Sequence, residues 1–213
     1  MGAVRRPVEL RPPRGLVDPA TSRIIMPDSL RGNFLIARRT LRDLNFFHTV
    51  VFLVEHNDEG AMGVVVNRPS GTTVAEALAQ HFDLPRTDDE VYIGGPVEEN
   101  AMFILHNAAD LAREETPVIA GIFVGSSAEV FEEAVRRSAN GDAELRFRVY
   151  SGYSGWTAGQ LEAELERNDW LVTPATEEFV FHPKPYLVWN LVIQKFRQTH
   201  SLAPGNLGEP EMN

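Results

Sequence analysis

A chain of 213 residues, 43% hydrophobic with 12 Phe, can build one large domain or two small ones around a self-sufficient core. The absence of cysteine excludes disulfides, Cys-ligated zinc, iron–sulfur clusters and a thiol nucleophile, and it fits a reducing compartment. A formal charge of −10, from 20 basic and 30 acidic residues, repels a phosphate backbone and disfavours bulk nucleic-acid binding.

Residues 1–31 carry six Arg against Glu9, Asp18 and Asp28, a net +3, which leaves −13 on the rest. Pro7, Pro12, Pro13 and Pro19 break every periodic pattern there, so the segment is expected to be a basic tail. No apolar run is long enough to span a bilayer, and the N-terminus lacks a secretory pattern. A cytoplasmic protein without membrane contact is expected.

The following elements alternate. Asn33 to Ala37 is a short apolar strand, and Thr49 to Glu55 is apolar on both faces, as a fully buried strand would be. Asn57-Asp58-Glu59-Gly60 is turn chemistry, and Ala61 to Val66 completes a hairpin with a four-residue loop. Pro69 stops the strand, since it supplies no ladder donor. Three helix starts read as capping boxes: Thr73 with Glu76, Ser126 with Glu129, and Thr157 with Gln160. Behind them lie apolar residues at helical spacing, such as Val74, Leu78 and Phe82. Met102 to His106 and Val118 to Val124 are strand candidates. Leu145, Phe147 and Val149 alternate with Arg146 and Arg148, which predicts a half-exposed strand. Trp189, Val192, Ile193 and Phe196 trace one face of a last helix. Strands and helices mix without clean βαβ units, so the expected fold is α+β in one domain, residues 32–200, followed by a tail at 201–213.

Motif chemistry is sparse. No two glycines stand at i, i+2, and neither Lys184 nor Lys195 follows a glycine, so the dinucleotide fingerprint and the Walker A loop are both absent. Gly152-Tyr153-Ser154-Gly155-Trp156 nearly spells a nucleophile elbow, but Trp156 replaces the final glycine. A tight turn entering the helix at Thr157 is the plainer account. The six histidines do not pair at helical spacing, so no metal site is expected. Glu55-His56 and His106 are acid–base candidates, although neighbours on a strand point to opposite faces. Gly94-Gly95-Pro96 follows a short strand, and its amides can either hold an anion or serve a packed turn. Trp170 and Trp189 are expected in the core. Trp156, beside Gln160, is expected to form a partly exposed platform.

Several blocks together resemble one family. They are Phe34-Leu35-Ile36-Ala37, Asp43-x-Asn45-Phe46, Glu55-His56, Gly60-Ala61-Met62-Gly63 running on to Asn67-Arg68-Pro69, Gly94-Gly95-Pro96-Val97, Leu105-His106, and Gly152-Tyr153-Ser154-Gly155-Trp156 running on through Gly159-Gln160-Leu161-Glu162-Ala163-Glu164-Leu165 to Trp170-Leu171-Val172. In order and spacing these are similar to the bacterial AlgH/YqgE family over roughly residues 30–195. One departure is Val124-Gly125-Ser126-Ser127-Ala128-Glu129, where the family often has Thr-Thr-Ser and an acidic residue. The resemblance implies an α+β fold with a bifurcated sheet, a small barrel-like part and surrounding helices. The family is named for transcriptional regulation of alginate production and has no agreed catalytic residue, so the resemblance transfers none. Its shared motif positions are Glu55, His56, Asn67, Arg68, Gly94, Gly95, Pro96, His106, Gly152, Tyr153, Trp156 and Gln160.

These residue types suit turns, amides and an aromatic platform better than acid–base work. The first expectation is therefore a non-catalytic binding or regulatory module, without a cofactor, acting through a protein partner or small ligand. The alternative is a small-molecule enzyme using Glu55, His56 or His106 near the Gly94-Gly95 amides, provided they converge in one pocket. Direct transcriptional regulation ranks third, opposed by the −13 balance and by the lack of a basic recognition helix. Arg68 is open to an anionic ligand or a surface carboxylate.

Overall fold

The computed structural model describes residues 29–112 and 115–201. The expected tails, 1–31 and 201–213, lie outside the described residues apart from Ser29, Leu30, Arg31 and Ser201. Leu30 is buried, and the Arg31 guanidinium donates to the carbonyls of Val54, Pro117 and Val118, so this end of the basic segment is built into the fold.

Among the described residues nine strands form one mixed sheet: β1 (Asn33–Ala37), β2 (Val50–Asn57), β3 (Gly60–Val65), β4 (Pro69–Thr73), β5 (Glu90–Ile93), β6 (Val97–His106), β7 (Phe123–Gly125), β8 (Phe147–Thr157) and β9 (Trp170–Pro174). The main order is β4-β5-β8-β3-β2-β1-β9, and β6 pairs with both β7 and β8. β8 is where the sheet forks. β6 runs antiparallel along one edge of it, while β5 takes the first half of the other edge and β3 the second half. The β5–β8 pair is parallel and every other pair is antiparallel. The fork matches the expected bifurcation, but the sheet does not close into a barrel: β4, β7 and β9 each have a single strand partner.

Alternation along the strands explains why both faces need covering. Phe34 and Ile36 of β1 and Val50, Phe52 and Val54 of β2 enter one core, closed by α4 (Glu177–Val180) and α5 (Pro185–Ser201) through Phe179, Val180, Val188, Trp189 and Val192. The intervening residues Leu35, Ala37, Val51 and Leu53 enter a second core, under α3 (Gln160–Glu166) with Trp156, Leu161 and Trp170. On the β5–β6 branch, Val91, Ile104 and Val149 meet α1 (Val74–Ala77) and α2 (Ala128–Ala139) in a third. Each fully buried Val, Leu, Ile or Phe contributes about 1.5–3 kcal/mol, so two-sided burial of β1 and β2 makes them the thermodynamic centre.

β3 ends at Val65, ahead of Asn67-Arg68-Pro69 as expected, and Pro69 then opens the edge strand β4, a position where its missing donor costs no ladder bond. Four local expectations change. The β2–β3 loop is two residues, because Asn57 and Gly60 face each other in the ladder. Thr73 and Glu76 form the capping box, yet α1 is a single turn. Ser127, not Ser126, caps α2, and it does so without a side-chain bond. Gly152 to Thr157, expected as a turn, is the second half of β8; α3 is capped by Gly159 at φ 73°, while Gln160 Oε1 still accepts from the Thr157 amide at 3.2 Å.

Candidate functional site

Trp156, His56 and Gln160 do come together, at the corner where β8 turns into α3. The aromatic part of this meeting is internal, while Gln160 is exposed. Trp156 is 6% exposed, so it is not the platform expected from its neighbours. Its indole N–H donates to Glu164 Oε2 at 2.9 Å, and the Trp170 indole donates to the same oxygen at 2.8 Å. Gln160 donates to Glu164 Oε1 at 3.1 Å. One carboxylate thus satisfies two buried indoles that have no other acceptor in a largely apolar core. Phe46 stacks on Trp156 at 6.2 Å and meets Trp170 edge-on at 5.2 Å. His56 Nδ1 accepts the Leu30 amide at 2.9 Å, which places the ring proton on Nε2, where it donates to Glu162 Oε1 at 2.8 Å. Glu55, next to it on β2, is exposed and takes no part in this pair.

The glycines of the two turn-like motifs meet at the fork. A Cβ on Gly94 would lie 2.2 Å from the Gly152 carbonyl oxygen, and one on Gly95 would lie 2.3 Å from the Tyr153 carbonyl. Gly152 itself sits at φ +67°, which bends β8 between its two sets of partners. The Gly94 amide donates to Ser151 O at 2.9 Å, and its carbonyl accepts from Val65 N and from Ser154 Oγ. Gly94 is therefore fully engaged by the sheet and is not an open anion cradle; Ser154, completely buried, is no nucleophile elbow. Pro96 is exposed at the exit of the turn, and Tyr153 packs edge-on against Phe103 at 5.9 Å.

Asn67 bridges β2 to the end of β3: its Oδ1 accepts from Val50 N and its Nδ2 donates to His48 O, both at 2.9 Å. Among the described residues Arg68 makes no ion pair. Its guanidinium donates to Asn45 O at 2.7 Å, and partial burial lowers its pKa from the usual value. His106 lies elsewhere, at the end of β6, completely buried, with its ring stacked on Phe123 at 5.7 Å and a Glu115 carboxylate oxygen 3.9 Å from Nε2. Burial pushes its pKa below the ordinary imidazole value. Glu55, His56 and His106 thus have separate neighbours and do not assemble an acid–base group.

Sequence reasoning missed three features. Arg148 is buried, not outward: its guanidinium donates to Val66 O at 2.9 Å, Val180 O at 2.6 Å and His182 O, and lies 4.4 Å from the Tyr92 ring centre. Beside it the Tyr150 hydroxyl, wholly buried, has its pKa raised by desolvation. Glu162 and Glu164 hold the α3 corner. Finally, a stack runs from Phe47 to His48 at 4.0 Å and on to Trp189 at 4.1 Å, with Arg39 5.5 Å from the Trp189 ring. This stack borders exposed apolar side chains: Leu44 at 85%, Phe47 at 56% and Tyr186 at 69%. Among the described residues there is no cluster of three metal-ligating side chains and no helix long and apolar enough to cross a membrane.

Comparison with known proteins agrees with the fold and motifs. Residues 34–201 match the family model described as DUF179, AlgH-like. A UPF0301 protein of Thioalkalivibrio sulfidiphilus is 37% identical over 179 residues, covering 82% of this chain and 94% of that protein. A UPF0301 protein of Pseudomonas paraeruginosa is 42% identical over 160 residues, 73% of this chain and 82% of its own. The solution structure of the AlgH protein from Pseudomonas aeruginosa superposes with a TM-score of 0.64 at 34% identity, covering 88% of this chain and 100% of that one. A crystal structure of a Corynebacterium diphtheriae protein gives the same TM-score at 24% identity, a likeness of fold alone, over 83% of this chain and 90% of its own. The chain belongs to the AlgH-like family.

Proposed function

We propose that the chain is a non-catalytic, cytoplasmic binding or regulatory module that acts through a protein partner. One observation carries this function. The polar atoms of the motif residues His56, Asn67 and Trp156 are spent inside the fold, whereas among the described residues the large hydrophobic side chains Leu44, Phe47, Ile93, Tyr186 and Leu187 are left to solvent. Aromatic and Arg side chains at the surface are the composition of protein interfaces. Of the expected surface residues, Arg68 borders this region, since it holds the carbonyl of Asn45 between Leu44 and Phe47. Regulation of transcription then runs indirectly, through the partner.

The test uses the full chain immobilised as bait in extract of the parent cell, beside the same chain incubated with a metabolite extract followed by mass spectrometry. A reproducible stoichiometric protein partner, with metabolites unchanged, is the expected result. Turnover of a metabolite that is abolished by His56→Asn or His106→Asn, in variants that remain folded, would overturn the proposal in favour of an enzyme.

A further inference from the structure

Resting on the binding-module function above, we propose that the surface formed by Arg39, the Phe47–His48 stack and the outer stripe of α5 is the docking face for an acidic amphipathic segment of a protein partner. α5 places Tyr186, Asn190, Ile193 and Arg197 at intervals of four, three and four residues, which lines them up on one side of the helix. At 1.5 Å per residue the stripe runs about 16 Å, room for three turns of a partner helix. Tyr186, Asn190 and Arg197 are exposed and Ile193 is half-buried. Beside the stripe is a groove of about 330 Å³ floored by Trp189 and Ile193 and walled by Arg39, Asn190, Gln194 and Arg197.

Charge selects the occupant. Acidic residues outnumber basic ones 30 to 20 in this chain, yet no carboxylate lines the groove, and neither Arg39 nor Arg197 makes an ion pair among the described residues. The remaining lining is side-chain amide. Such a surface offers fixed positive charge and neutral donors, and it complements carboxylates. The loop that carries Arg39 also exposes Arg38 and Arg42 against one carboxylate, Asp43, so its balance is positive too. The apolar half of the recognition comes from the stack that leads from the groove floor at Trp189 through His48 to the exposed Phe47. His48 holds φ +53°, a conformation rarely adopted outside glycine, so the loop carries strain at the point that positions Phe47.

A small anion fits less well, because the groove is open along its length while small-ligand sites bury most of their occupant. Nucleic acid fits less well too, because the acidic bulk of the chain repels phosphate. An acidic helix with apolar residues at i, i+3, i+4 and i+7 satisfies both halves of the surface.

The experiment is fluorescence anisotropy on the full chain with a labelled helix-forming peptide of about 16 residues, Leu and Phe on one face and Glu elsewhere. Companion probes are the same peptide with Gln or Lys in place of Glu, an oligo-dT strand and inorganic phosphate. The Glu peptide is expected to bind, with affinity falling as salt rises. Arg39→Glu with Arg197→Glu is expected to weaken it roughly tenfold or more while gaining affinity for the Lys peptide, and Tyr186→Ala to weaken it several-fold. The exposed Glu55→Ala serves as the unaffected control, and circular dichroism verifies that each variant is folded. Equal binding of the Glu and Lys peptides, or unchanged binding by the double variant, overturns the assignment. Preference for oligo-dT, tight capture of phosphate alone, or self-association that the double variant abolishes each overturns it as well, in favour of a nucleic acid, a small anion or a second copy. If the partner recovered from extract is still retained by the double variant, the module function stands and only this face is refuted.

Discussion

Arg148→Met tests whether a buried cation joins the sheet to the helices at its edge. The guanidinium, on a side chain 7% exposed, donates to three carbonyls: Val66 just beyond β3, Val180 at the end of α4, and His182 beyond it. A hydrogen bond to a charged group is worth about 1.5–3 kcal/mol, and each buried carbonyl left unpaired costs about 1–3 kcal/mol. The Tyr92 ring below the guanidinium adds up to about 2 kcal/mol. Against this, methionine fills similar volume and relieves a desolvation penalty of several kcal/mol. The net loss should fall at about 3–5 kcal/mol, because three buried carbonyls lose their donor at once. Urea unfolding followed by tryptophan fluorescence should show a midpoint lower by about 2 M for a slope near 2 kcal/mol/M. The melting temperature should drop by roughly 2–4 °C for each kcal/mol. Arg148→Lys should not rescue, since one ammonium cannot span three carbonyls on separate segments. A Met variant within about 1 kcal/mol of the parent, or full rescue by Lys, would refute the reasoning.

Two further perturbations probe the fork and the buried histidine. Gly94→Ala puts a methyl 2.2 Å from the Gly152 carbonyl, so backbone must move; a loss above about 3 kcal/mol is expected in thermal unfolding. Gly71→Ala, at positive φ (+79°) but with open space around it, should cost only about 1 kcal/mol, and equal losses would show that the fork contact is not what demands glycine. For His106, burial lowers the folded pKa below the ordinary 6.5, opposed by the Ala108 backbone and Asp110 and assisted by Arg137. The unfolded chain then takes up a proton before the folded one does. Stability is complete above pH 6.5 and falls as pH drops through that value until the folded state protonates too. His106→Leu should flatten the stability curve below pH 6.5, and parallel curves for variant and parent would count against the burial argument.

Much of the fold was legible where period and burial agree. β1 occupies Asn33–Ala37 as its apolar run predicts, and α5 turns Trp189, Val192 and Phe196 toward the core as their spacing predicts. Legibility failed where tertiary partners override local signals. Arg146 and Arg148 look alike in the sequence, yet β8 is covered on both faces, so Val149 and Tyr150 enter different cores and Arg148 is enclosed with Tyr150. Gly152 and Gly155 read as a turn because glycine weakens strands, but at the fork the carbonyls of Gly95 and Val97 leave no room for a side chain on Gly152. The candidate site was legible as a set of residues, not as a surface. His56, Trp156 and Gln160 do meet, but the carboxylates that hold them, Glu162 for His56 and Glu164 for Trp156 and Gln160, lie on α3 across a strand-to-helix corner that no periodicity spans.

The buried polar groups share a task that follows from the shapes of the helices. α1 and α4 are four-residue turns and α3 has seven residues, all far below the length at which a helix is stable alone. They persist only if fastened: α1 by the burial of Val74 beside its local capping box, α3 and α4 by polar side chains reaching across chain segments. Glu164 ties α3 to β8 and β9, Arg148 ties the end of α4 to β3, Asn67 ties β2 to the end of β3, and Arg31 ties the first described residues to 117–118. A forked sheet has several such joints because its branches separate and each needs its own cover. Most of the polar residues that resemble a family signature are therefore accounted for by folding. Arg39, Phe47, Tyr186 and Arg197 are among the positions that folding does not account for, and under the docking proposal they are the ones a partner would meet.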